Sequence, residues 1–175
     1  MSAALLAKAL GPAVTTHVIE SAEIGTVGVG EATIPQIRLI NGFLGIDEDE
    51  LLRAVQGTFK LGIQFRDWHR LGHAYYHAFG DIGPPLGLLP FYPYWLRDRA
   101  RSGAPDLWTY SLNAQACDAR RFDRRERIGD SPLAGLRHAY HFDAGLYARY
   151  LRRHCDPAVV EALEGLVVEV ERRAE

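Results

Sequence analysis

Three groups of residues in this chain could do chemistry. The first is Lys60 in "TFKLGIQF", residues 58–65, where Phe59, Leu61, Ile63 and Phe65 alternate with Lys60, Gly62 and Gln64. A period of two is the pattern of a half-buried strand. It places Lys60 opposite the four apolar side chains, beside a glycine that leaves room next to it. If that face looks onto a cavity, the lysine can serve as a fixed cation, a proton donor or a nucleophile. If it faces water it only solubilises, and the pattern alone favours that second reading.

The second group is Glu20 and the glycines after it. Glu20 ends the β-branched run "VTTHVIE", and Gly25, Gly28 and Gly30 follow as G-x-x-G-x-G. A dinucleotide-binding loop reads G-x-G-x-x-G and precedes its ribose-binding acid by ~20 residues. Glu20 therefore fits the acid, and counting back from it places the loop before Met1. The alternative is an ordinary acid at a strand end. The stretch "GVGEAT" then runs into a helix start, where free amides favour anions and glycine permits close approach of a ligand. A connection that only needs turns has the same composition.

The third group, His69, His73 and His77, falls at i, i+4 and i+8. On a helix these would line one face and could hold zinc. Gly72 interrupts the stretch, however, and "AYYHAF" prefers strand. No cysteine or carboxylate completes a set, so no metal is expected. His138 and His141 read as structural residues.

Elements must position these groups. "SAALLAKALGP" reads as a helix capped by Ser2 and stopped by Gly11-Pro12. A strand follows from Val14 to Glu20. Thr33 is expected to cap the next helix, with Pro35 in its first turn, an apolar stripe of Ile37, Ile40 and Leu44, and Gly45 at its end. Asp47 caps another helix to about Gln56, with Glu50 at the capping-box position. "HAYYHAFG" is extended, "DIGPPLGLLP" a loop, "YWLRDRARSG" a short helix and "ARRFDRRERIGDSP" a solvated, charge-rich loop. Asp143 caps "AGLYARYLRRH", and "LVVEVE" closes the chain as an alternating strand. Helices and strands in this order give an α/β chain without internal repeats or a clear linker.

The totals agree. The 175 residues are enough for one domain with a core, 47% are hydrophobic and 24% charged, and the net charge is -2. Nothing here argues for nucleic acid or a membrane surface. Cys117 and Cys155 are expected as free thiols, and the apolar start is too short to span a bilayer. It also lacks the basic region of a signal peptide, so a cytoplasmic location is expected.

Taken together, "IES" (19–21), "VGVGEATIP" (27–35), "FLGI" (43–46), "TFKLGIQF" (58–65), "YHAFG" (76–80), "YWLR" (94–97) and "YHFDAGLYARYL" (140–151) resemble the flavin-dependent tryptophan halogenase family, in its order and at similar separations. The resemblance runs along almost the whole chain. It implies part of a Rossmann-like FAD-binding domain of the flavin monooxygenase and halogenase type. It also implies an enzyme that turns reduced FAD, oxygen and chloride or bromide into hypohalous acid. A lysine then delivers the halogen to tryptophan or another indole-like ring, and a separate flavin reductase supplies the reduced cofactor. By position, Lys60 matches the family's essential lysine. Glu20 and Ser21 match the ribose-binding strand end, and Gly28, Gly30, Glu31, Ala32 and Thr33 match the flavin loop. Val167 would lie near the adenine, and His77 and Phe79 resemble the residues that sandwich the ring. The resemblance leaves a homodimer open for full-length members.

The departures matter as well. The family's N-terminal G-x-G-x-x-G, its W-x-W-x-I-P motif and its later glutamate and halide loop have no counterpart here. The chain is therefore expected to be a single incomplete domain, truncated at both ends, without its first strand and glycine loop. By itself it is expected to bind FAD poorly and not to halogenate. A fragment of an FAD-dependent aromatic hydroxylase and a non-catalytic remnant are the alternatives.

Overall fold

The computed structural model describes residues 1–24, 32–125, 129–130 and 135–171 of the chain. Gly28, Gly30 and Glu31, expected at the flavin loop, lie outside the described residues. In order, the elements are α1 (Ser2–Leu10), β1 (Thr16–Glu20), α2 (Gln36–Leu44), α3 (Glu48–Ala54), β2 (Thr58–Lys60), β3 (Gly62–Arg66), β4 (Ala74–Ala78), α4 (Phe91–Ser102), α5 (Leu112–Asp118), β5 (Ala139–His141), α6 (Ala144–Arg153) and β6 (Val160–Glu164). The chain is mixed α/β, as its pattern predicts. It divides into two compact units, Met1–Thr58 with Tyr140–Glu175, and Phe59–Ala139. No described helix is long and apolar enough to cross a membrane.

In the first unit β1 and β6 pair in parallel, from Thr16 opposite Val160 to Glu20 opposite Glu164. The closing strand is thus "VEALE", not the expected "LVVEVE". The ladder ends where β1 ends, with Gly165 N donating to Glu20 O at 2.9 Å, so residues 166–171 find no partner strand there. Two further expectations are corrected. The first turn of α1 closes on Met1, whose carbonyl accepts from Leu5 N at 3.1 Å, and Met1 rather than Ser2 is the cap. Thr33 does not cap α2, whose cap position is Pro35. The Thr33 hydroxyl is committed elsewhere: it donates to Tyr140 O at 2.9 Å and accepts from Tyr140 N at 3.0 Å.

The other caps form as their residue types dictate. Asp47 accepts from Glu50 N at 2.9 Å and Asp143 from Leu146 N at 2.7 Å, each satisfying an orphan helix amide. Gly45 ends α2 in the left-handed region that glycine tolerates best. The core of this unit collects Ile37, Leu51, Val55, Tyr140, Tyr147 and Tyr150. Buried tyrosines need partners for their hydroxyls. Tyr140 donates to Glu48 at 2.5 Å, Tyr147 to Asn41 at 2.8 Å and Tyr150 to Glu50 at 3.0 Å.

These tyrosines make stability alkali-sensitive. Burial raises Tyr147 to about 12, and burial with the Glu50 carboxylate raises Tyr150 to about 12, from an ordinary 10.0. A raised folded value means that the folded chain keeps protons the unfolded chain releases. Stability is then full below pH 10 and falls as the pH climbs towards 12. Urea midpoints measured at pH 9 and pH 11 should differ, with the lower at pH 11. Equal midpoints would contradict the assignment.

In the second unit β3 and β4 form an antiparallel hairpin, from Gly62 opposite Ala78 to Arg66 opposite Ala74. Asp67 closes its turn by accepting from Gly72 N at 2.6 Å. His69 and His73 lie in that turn and His77 in β4, so the three share no helix face. Helix α5, for which the sequence carried no expectation, is capped by Ser111, whose hydroxyl accepts from Ala114 N at 3.3 Å.

Candidate active site

Lys60 is the last residue of β2 and is only 6% exposed. The reading that favoured a solvent-facing lysine is thereby overturned. The cause is local. Residues 58–65 do not form one continuous strand, because the ladder breaks at Leu61 and restarts at Gly62. A strict two-residue alternation across 58–65 therefore does not hold: Lys60 is the buried end of β2, while Ile63 in β3 is 42% exposed. The Leu61 carbonyl is held at the break by two donors, Phe79 N at 2.8 Å and Asn113 Nδ2 at 3.0 Å.

Gly62 also differs from its expected role. The space its missing side chain leaves is not open beside the lysine. A Cβ built there would come within 2.6 Å of Ala78 Cα and 2.7 Å of His77 O. Gly62 therefore serves the close approach of β3 to β4.

One aromatic ring lies against Lys60. Its Nζ lies 5.3 Å from the centroid of the Phe79 ring, within cation–π range. The neighbouring Phe59 ring stacks on Phe122 at 4.2 Å, and His138, 1% exposed, meets both rings edge-on at 5.3 Å. Burial pushes the Lys60 amine below its usual value, because desolvation penalises the ammonium. His77 is exposed, with its ring centroid 6.5 Å from that of Trp108. Beyond Phe79 the chain lines a cleft of about 440 Å³ that includes Gly80, Asp81, Tyr110, Asn113 and Arg137. The second unit thus brings Lys60 and Phe79 together, with His77 two residues before Phe79.

The cofactor residues fall in the first unit. Glu20 stands at the carboxyl end of the parallel pair, where ligands of open α/β sheets bind. Its side chain is 41% exposed and pairs with the Arg152 guanidinium. A carboxylate offers about four lone-pair positions, so Arg152 leaves acceptors for a ribose hydroxyl, and the group fits that role. The Ser21 hydroxyl accepts from Glu23 N at 3.2 Å in the turn that follows. Ala32 bridges to His141, and Thr33 is bound to Tyr140 as described. Val167, expected on a closing strand, lies instead in the irregular stretch after β6 and is 55% exposed.

Comparison with known structures defines the class. Xcc4156, a flavin-dependent halogenase from Xanthomonas campestris, superposes with a TM-score of 0.79 at 40% identity, covering 99% of this chain and 34% of that one. BrvH, a flavin-dependent halogenase from Brevundimonas sp. BAL3, does so with a TM-score of 0.81 at 35% identity, covering 98% and 34%. The fold is that of the flavin-dependent halogenases over about a third of their length, a partial Rossmann-like α/β arrangement. The family model for tryptophan halogenases matches residues 1–175, and the chain belongs to that family. Tryptophan 6-halogenase SttH of Streptomyces toxytricini is 35% identical over 97% of this chain and 36% of its own length. The chain therefore spans about a third of the relatives it matches. The family implies FAD as cofactor and a halide as co-substrate.

Sequence reasoning missed Asn113. "SLNAQA" carries no motif, and only the fold brings the Asn113 amide to the Leu61 carbonyl, 52 positions away.

Proposed function

We propose that these residues form part of a flavin-dependent halogenase acting on tryptophan or another indole-like ring, with Lys60 as the halogen-transfer residue. The observation that carries this reading is a lysine with a lowered pKa, buried against the face of Phe79. Reduced FAD, when bound, supplies hypohalous acid from oxygen and chloride or bromide. The Lys60 ammonium donates a hydrogen bond to the hydroxyl of that acid and steadies it beside the ring. Electrons of the ring carbon form the carbon–halogen bond as the oxygen–halogen bond breaks. The departing hydroxide takes up a proton, the ring loses one, and water is the by-product. His77 and Phe79 flank the ring through their π-faces. Glu20 holds the adenosine ribose, Ser21, Ala32 and Thr33 contact the flavin, and Val167 contacts the adenine; the same flavin-binding role is assigned by sequence alone to Gly28, Gly30 and Glu31. A separate flavin reductase serves as the electron donor.

A flavin hydroxylase needs no lysine at this position, so Lys60 favours halogenation over that alternative. The test is a chimera in which residues 1–175 replace the matching third of SttH, which should halogenate tryptophan or indole. A flavin-binding chimera without product would overturn the reading.

A further inference from the structure

We propose that Asn113 is a positioning residue for Lys60, fixing the broken strand so that the lysine stays inside against Phe79. The proposal rests on the reading of Lys60 as the transfer residue. Where β2 gives way to β3, the Leu61 carbonyl accepts the Phe79 amide in the register of the β3–β4 hairpin and has a second lone pair to offer. Asn113 takes it. It is 3% exposed and uses both amide hydrogens, Nδ2 donating to Leu61 O at 3.0 Å and to Arg137 O at 2.6 Å. Its Oδ1 accepts from Arg137 N at 3.1 Å.

The Leu61 carbonyl that receives this bond also receives the Phe79 amide. One acceptor therefore ties together the residue after Lys60, the residue whose ring lies against it, and the start of α5. Two donors and one acceptor on a short planar group meet this requirement. Aspartate has no donor for the two carbonyls when ionised, and serine has only one. Asn113 thus acts through the backbone, and its removal should let the Lys60 segment swing outward and regain water.

The composition of the chain makes this measurable. Its lysines are Lys8, exposed on α1, and Lys60. Brief acetylation with acetic anhydride across pH 7 to 11, read by peptide mass spectrometry, gives each lysine its own midpoint, with Lys8 as the internal standard. In the parent chain the Lys60 midpoint should lie below that of Lys8. Asn113→Asp and Asn113→Ser should melt cooperatively and close at least half of that gap. Gln115→Ala, which removes a bond from the same helix to Trp108 O, should leave the gap unchanged. If Lys60 and Lys8 titrate together in the parent chain, the reading of Lys60 itself fails. If the parent gap persists in the folded Asn113 variants, the positioning role is overturned while the Lys60 reading stands. The role also falls if Gln115→Ala closes the gap equally, or if neither Asn113 variant folds, because the effect then belongs to the fold at large.

Discussion

Lys60→Met is expected to raise the melting temperature of the 175-residue chain while lowering halogenation by the SttH chimera ~10²–10⁴-fold, the range typical of removing a positioned proton donor. The two effects share one origin. Lys60 is 6% exposed, and burial disfavours its charged form. Methionine has similar length and volume and brings no charge into the site. Burial imposes on the ammonium a desolvation cost that methionine does not carry, and where that cost exceeds what the lysine's contacts return, the exchange stabilises by about 1 kcal/mol, or ~2–4 °C for a chain of this size. The pH dependence fixes the sign. The folded chain holds the Lys60 proton less tightly than the unfolded chain, whose ordinary value is 10.5. The burial penalty is therefore complete at low pH and relieved as the pH rises towards that value. The advantage of methionine should be largest near pH 7 and shrink above pH 9, as thermal melts at the two values would show. A variant that melts well below the parent at pH 7 would mean that the ammonium is held by net favourable contacts.

The features that were legible in the sequence are those set by neighbouring residues. The Asp47 and Asp143 caps, the glycine end of α2 and the strand ending at Glu20 each depend on a few consecutive positions, and each forms. Family resemblance singled out Lys60, but its burial could not be read from alternation, because the alternation assumes one unbroken strand. At Leu61 the chain passes from β2 to the β3–β4 hairpin, and the partners there, Phe79 and Asn113, are brought only by the fold. The closing strand was misplaced for a related reason. "LVVEVE" has the better strand pattern, yet position along β1 decides which residues find a ladder, and β1 takes Val160–Glu164. Thr33 looked like a cap from its own neighbours, while its hydroxyl is claimed by Tyr140, distant in sequence.

The same distinction sets the expected behaviour of two glycines. Gly42 lies within α2, and a Cβ added there would meet nothing within 4 Å. Gly42→Ala should therefore stabilise the chain by roughly 0.5–1 kcal/mol through lower backbone entropy of the unfolded state. Gly62→Ala should do the opposite. Its Cβ would meet Ala78 Cα at 2.6 Å, His77 O at 2.7 Å and Ala78 N at 3.2 Å. These are backbone atoms of the paired strand, so no side chain can rotate away, and the hairpin must part to admit the methyl. Overpacking of this kind costs about 3 kcal/mol, or roughly 6–12 °C. The displacement falls on Ala78, which lies between His77 and Phe79, so it also draws the Phe79 ring from Lys60. Melting curves should separate the two variants in opposite directions. In the acetylation experiment Gly62→Ala, unlike Gly42→Ala, should shift the Lys60 midpoint towards that of Lys8. If Gly62→Ala instead melts with the parent chain and keeps the parent midpoint, β3 and β4 do not approach as closely as this register requires.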